Sequence, residues 1–209
     1  MDKFEKYKQM LIEANKLINL TAITDSKEIE IKHFEDSLTV LSYINKGLRV
    51  LDIGSGAGFP GIPLRIKKDF DLTMIDSVNK KVKFMNDVIK ELDLKNARAI
   101  HTRAEDFAKK NRESFDLVIS RAVANLRTLS EYSLPFLKVG GIFIAMKGPK
   151  ARDEIKEAEN ALKILGGKLI KVDTFDLYGN ERNNLIIKKV KKTKKIYPRD
   201  KNLPKKKPL

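Results

Sequence analysis

Apolar residues recur along the chain in two rhythms. Phe4, Tyr7, Met10, Leu11, Ala14, Leu17 and Ile18 step by three and four, which predicts an amphipathic helix. Residues 19–23, Asn-Leu-Thr-Ala-Ile, break it. Ser26 suits an N-cap, and a second helix is predicted to about Tyr43 with Ile29, Phe34, Leu38 and Leu41 inward. Leu48 to Ile53 is different: a short apolar run, β-branched and too brief for a helix, so a buried strand. Further strands are predicted at 72–75, 97–101, 115–119 and 142–146, with a closing pair at 168–172 and 184–190. Helices fall between them at 79–92, from about Arg103, at 126–137, and at 151–165, the last closed by Gly166-Gly167. This alternation predicts a Rossmann-like α/β fold: seven strands, mostly parallel, with helices on both faces and an N-terminal helical extension. The expected organisation is an extension over 1–46, a main domain over 47–190 and a basic tail over 191–209. Residues 197–209 hold three prolines and no periodicity, so the tail is predicted extended, not helical.

The connection after the first strand carries the chemistry. Residues 50–64 read V-L-D-I-G-S-G-A-G-F-P-G-I-P-L. Gly54, Gly56 and Gly58 allow positive φ and close approach to bare backbone. Pro60 suits the first turn of a following helix. Strand, glycine turn and helix start together hold nucleotide-like ligands at the carboxyl edge of α/β sheets. A dinucleotide fingerprint, G-x-G-x-x-G, would need glycine where Phe59 stands. The pattern is instead D-x-G-x-G-x-G, and Asp52, inside the strand, must meet glycine-loop N–H groups or a cationic ligand. It looks like the first motif of the S-adenosylmethionine-dependent methyltransferases; a glycine turn without a ligand is the plainer alternative. Asp76, ending the second strand, is placed to accept both ribose hydroxyls of an adenosyl group. The N–H groups of Ala104 and Glu105, after the third strand, are placed for the adenine edge. Ser120-Arg121-Ala122 follows the fourth strand where exocyclic-amine methyltransferases carry N/D-P-P-Y/F, which argues against adenine N6 and cytosine N4. Arg121 is a cation suited to a methionine carboxylate or an RNA phosphate, or to a plain salt bridge. His33, Asp36 and Ser37 share neighbouring helix positions, as a set over the substrate or as a local hydrogen-bond set.

Composition narrows this further. With 209 residues, 42% hydrophobic, one core with appendages is expected. No apolar run reaches the length of a membrane span and the N-terminus has no signal core, so a cytoplasmic protein without membrane contact is expected. The absence of Cys removes disulfides, thiolate metal sites and cysteine-nucleophile mechanisms. No metal is expected, and a monomer is. Net charge is +15, and from Ile187 onward eleven Lys and Arg stand against Asp200 alone. A surface so basic predicts a polyanionic partner, most simply nucleic acid; a solvated lysine tail is the alternative.

Taken together, the motifs resemble one family: the bacterial methyltransferases of guanine N7 in small-subunit (16S) ribosomal RNA, also called glucose-inhibited division protein B. The resemblance rests on N-L-T-A-I (19–23), H-F-E-D-S-L (33–38), L-D-I-G-S-G-A-G-F-P-G-I-P-L (51–64), D-S (76–77), A-E (104–105), S-R-A-V-A (120–124), K-G (147–148) and the closing Y-P-R with P-x-K-x-P-L. It implies a class I methyltransferase fold, S-adenosyl-L-methionine as cofactor and 16S rRNA or the small subunit as partner. It also implies that Gly54, Phe59, Ala104, Glu105 and Arg121 stand at cofactor positions, beside Asp52, Gly56, Gly58 and Asp76 read from the residues themselves. Arg121 is the candidate catalytic residue, and Phe59, Arg121 and the N-terminal helices are candidates to hold the base. Where the family's tail carries Pro-Gly, this chain has Lys201-Asn202, and Asn tolerates the left-handed region. Three rivals stand: a nucleotide-cofactor oxidoreductase, which the glycine spacing disfavours; a non-catalytic RNA-binding module; and a ribose 2′-O methyltransferase, which needs an acid/base set that Lys147 alone does not make.

Overall fold

The first apolar stripe folds as α1 (Lys3–Ile18) in the computed structural model, which describes residues 2–121 and 123–209. By its internal contacts the chain falls into two units, 1–101 and 102–209. In the first unit, Tyr7 and Leu11 of α1 are fully buried, but Leu17 is 85% exposed. The buried stripe is thus shorter than the spacing predicts, because the helix ends two residues later at a left-handed Asn19.

The helix predicted from Ser26 to Tyr43 is not one helix. It starts as α2 (Ser26–Ile29), widens into a π turn over Glu30–Glu35, returns to α3 (Asp36–Leu38) and closes with a 3₁₀ turn at Leu41–Tyr43. The cap is Asp25, not Ser26: its Oδ1 accepts the Glu28 N–H at 2.9 Å. The wide turn places His33 and Phe34 inward, both buried, with the Phe34 ring 5.4 Å from that of Tyr7. Single π turns inside α-helices occur frequently at functional positions.

Three parallel strands follow: β1 (Arg49–Ile53), β2 (Asp71–Asp76) and β3 (Ala97–His101), in the order β3-β2-β1. β1 and β2 are buried except at their first residues, as continuous apolar runs covered on both faces should be. The connections are α4 (Gly61–Lys67) and α5 (Asn79–Glu91). Pro60 stands as the cap of α4 rather than in its first turn. In α5, Val82, Met85 and Val88 are buried, with Phe84 beside them.

The second unit opens with α6 (Ala104–Asn111) and β4 (Phe115–Arg121). The helical span predicted over 126–137 is α7 (Leu126–Ser133) and a 3₁₀ turn at Leu134–Phe136. β5 (Leu137–Lys147) starts five residues before the predicted strand, because the Gly140-Gly141 pair sits inside it with Gly140 at φ +92°. α8 (Ala151–Leu165) ends at a left-handed Gly166, as predicted. β6 (Gly167–Leu177) and β7 (Asn180–Lys189) form a hairpin longer than the predicted pair. β4 and β5 are parallel, β7 is antiparallel to β5 and β6 to β7, giving the order β4-β5-β7-β6. All seven predicted strands are therefore present in a Rossmann-like α/β arrangement. Phe107, Phe115 and Phe136 meet at 5.7–6.4 Å in the core of this unit.

The tail is not simply extended. It carries a short helix, α9 (Leu203–Lys206), after Lys201 and Asn202, both at φ +57°. Two left-handed residues replace the Pro-Gly turn, and Pro204 lies in the first turn of α9, where it lacks nothing. The prolines limit the helix here to about one turn and do not forbid it.

Candidate functional site

In the first unit, β1 delivers the chain into a loop whose shape its own backbone sets. Gly54, Gly56 and Gly58 all have positive φ. The N–H groups of Gly54 and Ser55 donate to Ile75 O of β2 at 2.8 and 3.3 Å, and Gly58 and Phe59 donate to Ser55 O at 2.8 and 2.9 Å. Asp52 is fully buried, and its Oδ2 accepts the N–H of Gly61 at 2.9 Å. Of the partners the sequence allows, it thus meets a backbone N–H, at the start of α4. This carboxylate pins the far end of the loop to the strand that begins it.

Asp76 acts on the middle of the loop. Its Oδ2 accepts the Gly56 N–H at 3.0 Å and its Oδ1 accepts the Val78 N–H at 2.8 Å. A carboxylate has about four acceptor positions, so each oxygen keeps one lone pair for a further donor. At Gly56 an added Cβ would meet nothing within 4 Å. The peptide there is bare and open. Open peptide beside a carboxylate with spare acceptor capacity suits the sugar of a nucleoside.

Gly58 is the opposite case. A Cβ there would sit 2.8 Å from the Tyr7 hydroxyl and closer still to Ile62, at φ +104°. Tyr7 in turn donates to Ala57 O at 2.5 Å, so α1 braces the glycine loop directly. Gly58→Ala should therefore cost about 2–4 kcal/mol, the sum of overpacking and left-handed strain. Urea unfolding measures it, and a loss under about 1 kcal/mol would show that the loop yields.

Phe59 is 5% exposed, its ring stacked on His33 at 4.4 Å and 15° and on Tyr7 at 5.3 Å and 24°. So buried a ring offers no platform to a base; it cements the N-terminal helices to the loop. His33 Nε2 lies 2.8 Å from Thr21 Oγ1, and Thr21 is itself held by Asn15, whose amide pairs with its N–H and C=O at 2.8 and 2.9 Å. Ser37 Oγ donates back to His33 O. His33 and Ser37 thus join a local network within the N-terminal unit. Thr21, Asn15 and the Tyr7 hydroxyl escape prediction: Tyr7 reads in sequence as one more apolar position, and only the fold turns its hydroxyl onto Ala57.

In the second unit, Ala104 is the first residue of α6 and Glu105 the second. Glu105 is 6% exposed; its Oε1 is buried without a hydrogen-bond partner among the described residues and lies 3.9 Å from Arg103 Nη1. A buried carboxylate oxygen in that state is costly. It invites a donor, and the amino group and N–H edges of a nucleoside are donors. Taken each by itself, this carboxylate and the open peptide at Gly56 fit parts of S-adenosyl-L-methionine. Arg121 ends β4, half-buried. Ala122, the third residue of the S-R-A motif, lies outside the described residues.

Lys147, ending β5, is 8% exposed. Its ammonium pairs with Glu154 Oε2 at 2.7 Å and donates to Ala124 O, while the same Glu154 oxygen accepts the Leu126 N–H at 2.7 Å. The pair braces the segment leading into α7. The Glu154 partner, on α8, is not legible from spacing. Among the described residues, no group of three or more His, Cys, Asp or Glu is placed to hold a metal ion, and no helix is long and apolar enough to cross a membrane.

Known proteins match this chain along its length. The model of the GidB family, described as rRNA small subunit methyltransferase G, covers residues 1–186. The ribosomal RNA small subunit methyltransferase G of Desulforamulus reducens is 52% identical across 99% of this chain and 89% of its own length. That of Clostridium tetani is 47% identical, with 99% and 89% covered. Among solved structures, M. jannaschii TYW2 in complex with AdoMet aligns with a TM-score of 0.62 at 19% identity, over 76% of each chain, a likeness of fold. By its family model and by these relatives, the chain belongs to the family of rRNA small subunit methyltransferase G.

Proposed function

We propose that this protein transfers the methyl group of S-adenosyl-L-methionine to N7 of a guanine in 16S rRNA of the small subunit. The observation that carries it is the glycine loop held open by Asp76, in a chain of this family. Asp76 receives the ribose hydroxyls, and the open peptide at Gly56 lies beside them. Gly54 and Gly58 shape the loop, and Asp52 serves it by fixing the Gly61 end. Phe59 serves through its backbone and by locking the loop to the N-terminal helices. Ala104 and Glu105 take the adenine edge, and Arg121 takes an anion, the methionine carboxylate or an RNA phosphate.

The cofactor supplies an electrophilic methyl on a sulfonium cation. Guanine N7 has an in-plane lone pair and no proton, so no side chain has to remove one. What remains for the protein is alignment and exclusion of water. N7 lies on the deep, narrow major-groove edge of A-form RNA, so the target must be looped or splayed out. A 2′-O reading is weaker, because a free basic lysine is required and the Lys147 ammonium is engaged by Glu154 and Ala124. A monomer acting in the cytoplasm without a metal, with residues 1–46 as extension, 47–190 as methyltransferase domain and 191–209 as tail, completes the reading.

The test is incubation with radiolabelled S-adenosyl-L-methionine and either naked 16S rRNA or assembled small subunits, followed by borohydride–aniline mapping of N7-methylguanine. A label on ribose, or none on any RNA, overturns it. Arg121→Ala, assayed for turnover and for cofactor affinity separately, should lose about 10–100-fold in one of them, the worth of a charge-assisted hydrogen bond. If both stay unchanged, Arg121 has no place in the site.

A further inference from the structure

The basic tail has no periodicity to make it fold, yet it is held at almost every turn. Arg112 donates to Thr193 O at 2.9 Å, to Lys194 O at 3.2 Å and to Tyr197 O. Arg103 donates to Asn202 Oδ1 at 2.8 Å, and Thr128 to Pro204 O at 3.0 Å. Arg127 donates to Leu209 O and Pro208 O at 2.8 and 3.0 Å. Arg199 makes two side-chain bonds to the buried Glu131 at 2.8 and 2.7 Å, adds its backbone N–H at 2.8 Å, and donates to Lys207 O at 2.8 Å. The arginines face the junction of tail and body: Arg199 from the tail, and Arg103, Arg112 and Arg127 from the body. Their forked donors suit fixed acceptors.

The lysines do the reverse. Those within 191–195 and 205–207, with Lys201 between, are exposed. Among the described residues only Lys192 reaches an acid, Glu113 at 4.0 Å. The tail's own acid, Asp200, is turned toward Lys109 of α6 at 3.5 Å, so it offsets little of this charge. A disordered lysine tail would pay an ordering cost on binding; one already docked does not.

We infer that the tail is a preformed docking strip for the phosphate backbone of the substrate RNA, with the arginines at its junction with the body as its frame and the outward lysines as its contacts. The inference rests on the RNA-methylation reading above. Phosphate contacts position a nucleic acid without reading its sequence, so the strip sets affinity and register, not the target base. RNA is favoured over an anionic membrane because the only helix in the tail is four residues long, too short for an amphipathic helix that inserts.

The experiment compares the full-length protein with two variants, K191A/K192A/K194A/K195A and K205A/K206A/K207A, and with their all-arginine counterparts. Binding to 16S rRNA is followed against salt, and turnover against RNA and cofactor separately. The alanine variants should raise Kd and KM for RNA at least tenfold and flatten the log Kd–log salt slope by about 0.7–0.9 for each phosphate that no longer meets a lysine. kcat and the cofactor Kd should hold, and the arginine variants should bind like the parent. Alanine variants with the parent's RNA affinity and salt slope would overturn the strip, as would tail-dependent binding to phosphatidylserine vesicles without any to RNA. Failure of the parent itself to methylate RNA would instead sink the underlying reading.

Discussion

Asp76→Ala will weaken S-adenosyl-L-methionine binding by about a hundredfold or more. The expectation follows from counting acceptors. Both carboxylate oxygens already take a backbone N–H, from Gly56 and Val78, and each keeps a lone pair directed away from those bonds. In the proposed site two ribose hydroxyls fill those places. Hydrogen bonds to a charged acceptor contribute about 1.5–3 kcal/mol each, so losing two costs at least about 3 kcal/mol of affinity. The substitution also releases the Gly56 N–H, while the backbone bonds to Ile75 O and Ser55 O and the Asp52 tie to Gly61 keep the rest of the loop in place. Asp76→Asn separates these effects. It keeps one acceptor oxygen but turns a donor toward either Gly56 or Val78, so its affinity should fall between parent and alanine. Calorimetry with the cofactor and with its demethylated product measures all three, and a melting curve checks that each is folded. An alanine variant that is folded and binds within about threefold of the parent removes Asp76 from the ribose.

What can be read in the sequence, and what cannot, divides along a physical line. β1, β2 and β3 and the helices α5 and α8 follow from apolar period and from glycine or capping residues, all local signals. The glycine loop is legible for the same reason: its shape lies in Gly54, Gly56 and Gly58, whatever surrounds them. The misses are tertiary. The π turn over Glu30–Glu35 exists because His33 and Phe34 pack against residues far along the chain. Phe59 reads as a candidate to hold the base, and the rings from α1 and the π turn that enclose it come from tertiary packing no local signal shows. Lys189 reads as one more of the eleven basic residues counted from Ile187 onward. It is fully buried at the end of β7, donating to Leu134 O at 2.7 Å with Glu113 at 3.7 Å, and burial pushes its pKa down to about 8. Nothing in the run Lys188-Lys189 says which of the two points inward except strand parity, and residues 183–187, all buried, show no alternation that would set it. Of the candidate site, Asp52 and Asp76 are proposed from their chemistry in the sequence, whereas the Lys147–Glu154 brace needs the fold.

Arg199→Ala will cost the fold about 3–5 kcal/mol. Its partner Glu131 has a side chain only 1% exposed, and three of its hydrogen bonds come from Arg199. Removing the cation leaves a buried carboxylate with only the backbone N–H of residue 199, which does not balance its charge, and that is far worse than never having had the pair. There is one escape. If the tail peels away from α7, water reaches Glu131, so the loss cannot exceed the free energy that docks the tail. The carbonyl bonds from Arg127 and Thr128 and the burial of Pro204 oppose that release. For a chain of this size each kcal/mol lowers Tm by about 2–4 °C, so a drop of roughly 6–20 °C is expected. Replacing both partners, Arg199→Met with Glu131→Met, should recover most of it, since an apolar pair of similar volume carries no desolvation cost. The single variant also discriminates between two accounts of the tail. If docking merely stores the C-terminus, Arg199→Ala will change Tm and leave RNA affinity alone. If docking presents the lysines, the loosened strip will bind RNA more weakly at a temperature where the rest of the protein is still folded, and the double-methionine variant will restore both. A single variant with Tm within about 2 °C of the parent would mean that Glu131 finds other donors and that Arg199 does not frame the strip.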